Sequence, residues 1–170
     1  MNDFYTKINT KLGLYHFNNI DELDNTEFKT SPYNTKYILP NKDIKQYVSS
    51  IIPLPKSKPK EIIWQILKNP INSVYPKHID AIRYCAINIL ISKPNDDHIF
   101  RMFDESGNFI PLDYNNNHLV PYIINVEKPH EVLNNSSTHN RYILSIGFFT
   151  KQYDYKFITN WFKERERDFI

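Results

Sequence analysis

Six histidines and one Asp-x-Lys triplet are the first places in this chain to look for chemistry. The histidines are His16, His78, His98, His118, His130 and His139. Their spacing contains no His-x-His and no His-Glu-x-x-His, arrangements that bring two imidazoles to one metal. It contains no zinc-deaminase spacing either. Scattered surface histidines are the simple reading, and a pair gathered by folding for RNase-type acid–base work is the alternative. The triplet Asp154-Tyr155-Lys156, with Asp96, Asp97 or Asp113 as an upstream carboxylate, has the groups to hold Mg²⁺ and stabilise a leaving phosphate. It follows a strand pattern and opens a helix pattern, so Asp154 is more simply an N-cap. Ser136-Ser137-Thr138-His139 sets nucleophile and base types side by side, but sequence neighbours do not supply triad geometry. Gly13, Gly107 and Gly147 are the only glycines, too few and too dispersed for a phosphate-cradling or dinucleotide loop. The lone Cys85 cannot form an internal disulfide and reads as a core residue. On this reading the chain has no catalytic residue, no metal site and no cofactor.

The elements that would position these residues follow from periodicity. Phe4, Ile8 and Leu12 predict a helix over Asp3 to Leu12, stopped at Gly13. Residues 14 to 17 read as a short strand. Asn41 as cap and Ile44, Tyr47, Val48 and Ile51 as stripe predict a helix from Asp43 to Ile51. Pro53, Pro55 and Pro59 form a stiff connector. Ile62, Ile63, Ile66 and Leu67 predict a third helix that ends at Pro70. From Ile82 to Ile91 the run is apolar on nearly both faces, as in a central strand. Residues 98–103 and 108–112 form a hairpin around Asp104-Glu105-Ser106-Gly107. Residues 118–126 form another strand, which Pro121 marks as an edge. Lys128 to Asn140 reads as a polar loop, Arg141 to Phe149 as a strand, and the chain from Asp154 as a closing helix. The expected fold class is α+β: N-terminal helices, a mostly antiparallel sheet of about five strands and a C-terminal helix. All of it, 1–170, reads as a single domain.

The composition excludes some classes. The chain is 41% hydrophobic and 15% aromatic, with a formal net charge of +2. That is ample core material without the strong basic excess of most nucleic-acid binders. No stretch approaches the length of a membrane-spanning helix, and no secretory leader pattern opens the chain. A cytoplasmic location is expected. Charge is unevenly laid out. The first half is basic, whereas Asp96, Asp97, Asp104, Glu105, Asp113, Glu127 and Glu131 make the middle acidic. Asp21, Glu22, Asp24 and Glu27 form a second acidic patch. These acids fall mostly at turns, so one end of the sheet is expected to be acidic and suited to a basic partner.

With 23 Ile, 20 Asn and two Ala, acidic loop tips and no catalytic signature, the chain resembles the immunity proteins of bacterial contact-dependent growth inhibition. The resemblance implies a protein that binds a cognate toxin domain 1:1 and covers its active site, the toxin often being a nuclease. It implies no enzymatic activity and no small-molecule ligand. The partner-binding residues expected are Asp96, Asp97, Asp104, Glu105, Asp21, Glu22 and Asp24. The alternatives are a small nuclease built on Asp154 and Lys156, and an RNA or single-stranded DNA-binding module built on Lys56, Lys58 and Lys60.

Overall fold

The run Cys85-Ala-Ile-Asn-Ile-Leu90 is almost wholly apolar at both parities. A strand of that kind must be covered on both faces and paired on both edges. In the computed structural model, which describes residues 3–13, 17, 20–31, 34–58, 60–110 and 112–165, it is strand β6 (Cys85–Leu90), buried at every position. One edge pairs antiparallel with β11 (Arg141–Phe148), with Ile87 opposite Ile146. The other pairs with β9 (Pro121–Ile124), with Ile87 opposite Ile123. Strand β4 (Ile62–Asn69) continues the sheet beyond β11 in an eight-residue register. With β1 (Tyr5–Lys7), β2 (Lys29–Thr30) and β3 (Lys36–Ile38) the order is β1-β9-β6-β11-β4-β3-β2. A second sheet has the order β5-β10-β7-β8, from Ser73–His78, His130–Asn134, His98–Phe103 and Phe109–Ile110. Every pairing among the described residues is antiparallel.

Strand alternation divides the core in two. Ala86, Leu90, Tyr122 and Ile124 of the large sheet pack with Phe100 and Met102 of the small sheet and with Tyr114. Cys85, Ile87, Ile89, Leu144 and Ile146 face the other way, against Val48 and Ile52 at helix α1 (Lys42–Ile51) and Ile158 and Phe162 of helix α2 (Tyr155–Arg165). The result is a two-sheet jelly roll with helices on the outer face of the larger sheet.

Several expectations hold. Asn41 caps α1 by accepting the Ile44 N–H at 2.8 Å. Asp154 caps α2 by accepting the Phe157 N–H at 2.8 Å, so its role is that of a cap. Cys85 is buried, and burial pushes its thiol pKa well up. The α+β class with N-terminal helices and about five strands is corrected to two packed sheets of seven and four strands with two α-helices among the described residues. The segment expected as the first helix contains β1, whose Tyr5 pairs with Ile124. The expected third helix is β4. Its apolar residues satisfy a helical stripe, but Ile62, Ile63, Trp64 and Ile66 are β-favouring types covered on both faces, and a short apolar run does not separate the two. Pro121 opens β9 and lies between strands, because the first residue of a strand tolerates a missing N–H. The polar loop 128–140 contains β10. The short strand expected at residues 14–17 lies outside the described residues except for Phe17. No helix among the described residues is long and apolar enough to cross a membrane.

Substituting Ile87→Ala, fully buried in the core between the large sheet and the helices, is expected to destabilise the fold by about 2–5 kcal/mol. Phe109→Ala, at a position 63% exposed, is expected to change stability by no more than about 0.5 kcal/mol. Urea unfolding monitored by tryptophan fluorescence checks both, and equal effects would contradict the assigned core.

Candidate metal centre

Strand β10 lies between β5 and β7, and its register sets His130 directly opposite His78. The pairing is irregular here. Between that pair and the next, Val132 with Tyr75, β5 carries one extra residue. Pro76 lies in this stretch and has no N–H for a ladder, so a bulge accommodates it. The chain then turns out of β5, and Asp80 is anchored by its N–H to the carbonyl of Val126 at 3.1 Å.

These three side chains converge. One ligand atom from each of His78, Asp80 and His130 lies within 4.8 Å of the other two. Asp80 Oδ1 is 3.6 Å from His78 Nε2 and 3.9 Å from His130 Nε2. The imidazole rings are 4.4 Å apart. Each histidine is oriented by its own backbone. His78 Nδ1 is 2.7 Å from the Pro76 carbonyl, and His130 Nδ1 is 2.9 Å from the Lys128 carbonyl. A carbonyl oxygen can only accept, so each Nδ1 carries the proton and donates it. Each Nε2 lone pair is then left facing Asp80. Fixing the tautomer through the second nitrogen is the usual arrangement of a metal-ligating histidine.

The charges agree with this geometry. The Asp80 carboxylate is the largest influence on His78 and raises its pKa. Burial disfavours the charge on Asp80, but His78, Arg83 and His130 outweigh it and hold its pKa below the ordinary value. His130 is more deeply buried, and burial lowers its pKa, which keeps the imidazole neutral and able to ligate. Two imidazoles and one carboxylate, grouped with open positions, form the donor set of non-haem Fe(II) sites. Catalytic zinc uses a similar set.

A second feature lies at the far end of β10. Asn134 pairs with His98 there, four residues and roughly 13 Å along the strand from His130. The Asn134 amide nitrogen bonds the Asn69, Pro70 and His139 carbonyls at 2.9–3.0 Å, which fixes the start of β11. The first residue of β11 is Arg141, fully buried. Its Nη1 donates to Asn69 Oδ1 at 2.9 Å, and its guanidinium lies 5.5 Å from the Tyr114 ring centre. Arg141 Nε and Nη2, Tyr114 Oη and His98 Nδ1 are buried without a hydrogen-bond partner. Among the described residues no carboxylate pairs with Arg141. An uncompensated buried guanidinium costs several kcal/mol, so the unused donors of Arg141 and Tyr114 could serve an anion, whereas His98 Nδ1, its proton on Nε2 toward the His139 carbonyl, could only accept.

No family model matches the chain, and no curated protein matches it in sequence. Solved structures do match its fold. A Pseudomonas putida prolyl-4-hydroxylase is similar with a TM-score of 0.60 at 16% identity, over 85% of this chain and 91% of that one. A prolyl hydroxylase from Trichoplax adhaerens, solved with a hypoxia-inducible-factor peptide, gives 0.59 at 14% identity, over 89% and 86%. HygX from Streptomyces hygroscopicus, solved with nickel, 2-oxoglutarate and hygromycin B, gives 0.52 at 11% identity, over 88% and 84%. At these identities the likeness is one of fold.

These findings correct the sequence reading. The resemblance to an immunity protein falls, because the fold is that of hydroxylases and oxygenases. The toxin-neutralising function, the toxin partner and the absence of enzymatic activity fall with it, and the nuclease and nucleic-acid alternatives gain no support. The expected lack of a small-molecule ligand conflicts with neighbours that bind a metal, 2-oxoglutarate or a peptide. The sequence reading expected no metal site, and His78, Asp80 and His130 form a group that could hold a metal ion. No two-histidine motif marks this group, because His78-Ile79-Asp80 pairs a histidine with a carboxylate.

The acidic residues lie elsewhere. Asp96 and Asp97 precede β7, and Asp104 and Glu105 follow it, so they occupy opposite ends of that strand rather than one acidic end. Asp104 accepts from Asn108 within its own turn, and Glu105 lies 3.8 Å from Lys128. Asp21, Glu22 and Asp24 share a 3-10 turn. There Asp24 accepts from Tyr142 and Asn140.

The pKa directions set a pH dependence for the metal-free protein. Asp80 has a lowered folded pKa, so its contribution is present above its unfolded value and lost as pH falls through the folded one. His78 has a raised folded pKa, so its contribution is present below its unfolded value and lost as pH rises through the folded one. Their mutual stabilisation is therefore greatest between about pH 4 and pH 6.5. The Tm gap between wild type and Asp80→Asn is expected to peak there and narrow towards pH 3. A gap that stays constant across a pH series, with chelator present, would contradict the assignment.

Proposed function

We propose that this protein is a 2-oxoglutarate-dependent Fe(II) oxygenase. The observation that carries the reading is the convergence of His78, Asp80 and His130 at one end of the small sheet. The donor set alone would also suit a zinc hydrolase. Arg141 favours the oxygenase, because a buried guanidinium with unused donors suits a co-substrate that bears a second, distal carboxylate. The likeness of fold to oxygenases supports the same choice.

In this reading His78 and His130 offer Nε2 and Asp80 offers Oδ1 to the iron. Bound Fe(II) supplies activation of O₂, coupled to oxidative decarboxylation of 2-oxoglutarate to succinate and CO₂. Arg141 holds the distal carboxylate of the co-substrate, with Tyr114 Oη as a neutral donor. Burial pushes the Tyr114 pKa up to about 12, although the charge of Arg141 works the other way. The phenol therefore stays protonated at neutral pH and can donate. Phe100, Met102 and Tyr122 pack with Tyr114 between the sheets and make an apolar surround for that phenol.

Purified protein with Fe(II) and 2-oxoglutarate is expected to form succinate in an O₂-dependent manner, even without a prime substrate. His78→Ala is expected to abolish it. Arg141→Ala is expected to weaken 2-oxoglutarate binding by about 30-fold or more, the equivalent of losing at least 2 kcal/mol from a buried charge pair. Succinate quantified by mass spectrometry checks the turnover, and anaerobic titration checks the affinity. If the wild type binds neither Fe(II) nor 2-oxoglutarate, the reading is wrong.

A further inference from the structure

The Asp80 carboxylate is shared between two sets of neighbours. Oδ1 faces both histidine Nε2 atoms. Oδ2 accepts from Arg83, whose Nε and Nη2 are each 2.6 Å away. A guanidinium usually grips a carboxylate with one nitrogen on each oxygen. Here two nitrogens share one oxygen, and the other oxygen is left for the histidines.

The side chain of Arg83 is itself held. Its Nη1 lies 3.4 Å from Ser145 Oγ on β11, and Ser145 Oγ donates to Asn88 Oδ1 on β6 at 2.7 Å. The serine proton goes to Asn88, so its lone pair is free for Arg83. The stem of Arg83 passes over Gly147, where a Cβ would stand 2.9 Å from Arg83 Cδ. Two central strands of the large sheet thus fix a group that otherwise projects from a turn. An ordinary surface i,i+3 ion pair has no such backing, and both side chains here are mostly buried, at 21% and 11% exposure.

We propose that Arg83 is a positioning residue that makes Asp80 a one-oxygen ligand, with Gly147 as the slot that admits it. The proposal rests on the metal centre assigned above. By occupying Oδ2, Arg83 stops the carboxylate from turning both oxygens to the metal and leaves a coordination position open for other ligands. The planar fork does this work, and positive charge alone does not. Lysine presents one nitrogen on a flexible stem and cannot reproduce it.

The test is Co(II) binding by the full chain, followed by calorimetry and by the visible d–d spectrum, with no turnover required. Arg83→Gln and Arg83→Lys are both expected to weaken Co(II) binding by about 10–100-fold, as loss of a partner behind a ligand typically does, and to shift the d–d bands. Gly147→Ala is expected to shift the bands in the same way without altering charge. Circular dichroism and Tm of the metal-free variants establish folding, and Arg83→Lys carries the test if Arg83→Gln does not fold. If Arg83→Lys matches wild type while Arg83→Gln does not, charge and not positioning is at work, and the proposal is overturned. Unchanged affinity and spectrum in all three variants overturn it as well. A wild-type chain that binds no Co(II) removes the metal centre itself, and the clamp with it.

Discussion

The candidate site depends on one cross-strand register, His130 opposite His78. The two residues are 52 positions apart in the chain, and neither has a metal-ligating neighbour of its own kind. Antiparallel pairing of β10 with β5 makes them adjacent. A strand slip of one residue would turn either side chain to the opposite face. Two constraints oppose the slip. Asn134 ties the other end of β10 to the carbonyls of Asn69, Pro70 and His139. On the other edge, β7 holds β10 in an unbroken five-residue register. The bulge opposite takes up the mismatch that Pro76 imposes.

The large sheet acts as the support. Its outer face is packed by the helices and its inner face carries polar residues at intervals in an otherwise apolar surface. Arg141 lies at one end of β11, with Ser145 and Gly147 further along the same inner face. The neighbour of Arg141, Tyr142, points outward to Asp24, and Lys68 lies over its ring. One strand thus contributes to the proposed anion grip, to the backing of Asp80 and to the outer core, because alternate residues face opposite sides.

Part of this architecture was legible in the sequence. The central strand β6, the strand β11 and the helices α1 and α2 have patterns that their burial repeats. The caps Asn41 and Asp154 were legible from residue type and position. What was not legible has physical causes. Strand β4 carries an apolar run that suits either period, and its partners β3 and β11 decide the matter. Strand β10 is a five-residue strand with polar ends, bordered by Pro129 and by Asn135-Ser136-Ser137, so it reads as loop. The site was hidden for the same reason: His130 lay in that loop and His78 beside a turn. Clustered acids suggest a recognition surface, whereas Asp80, the carboxylate that matters for the proposed chemistry, is an isolated one between the two acidic regions.

The placement of β5 has one more consequence. This strand and the turn after it bring two of the three proposed metal ligands, and β5 is an edge strand of its sheet. Besides β10, Tyr75 ties it to the Asn34 carbonyl and the Lys36 amide, and Lys77 lies over the Phe103 ring of β7. Outer strands open before central ones, on a shorter timescale than global unfolding. Escape of an ion bound at the proposed site would therefore need no breach of the core, since peeling of one edge separates His78 from His130. The residence time of the ion and the amide-exchange lifetime of β5 are in this sense two readings of one clock.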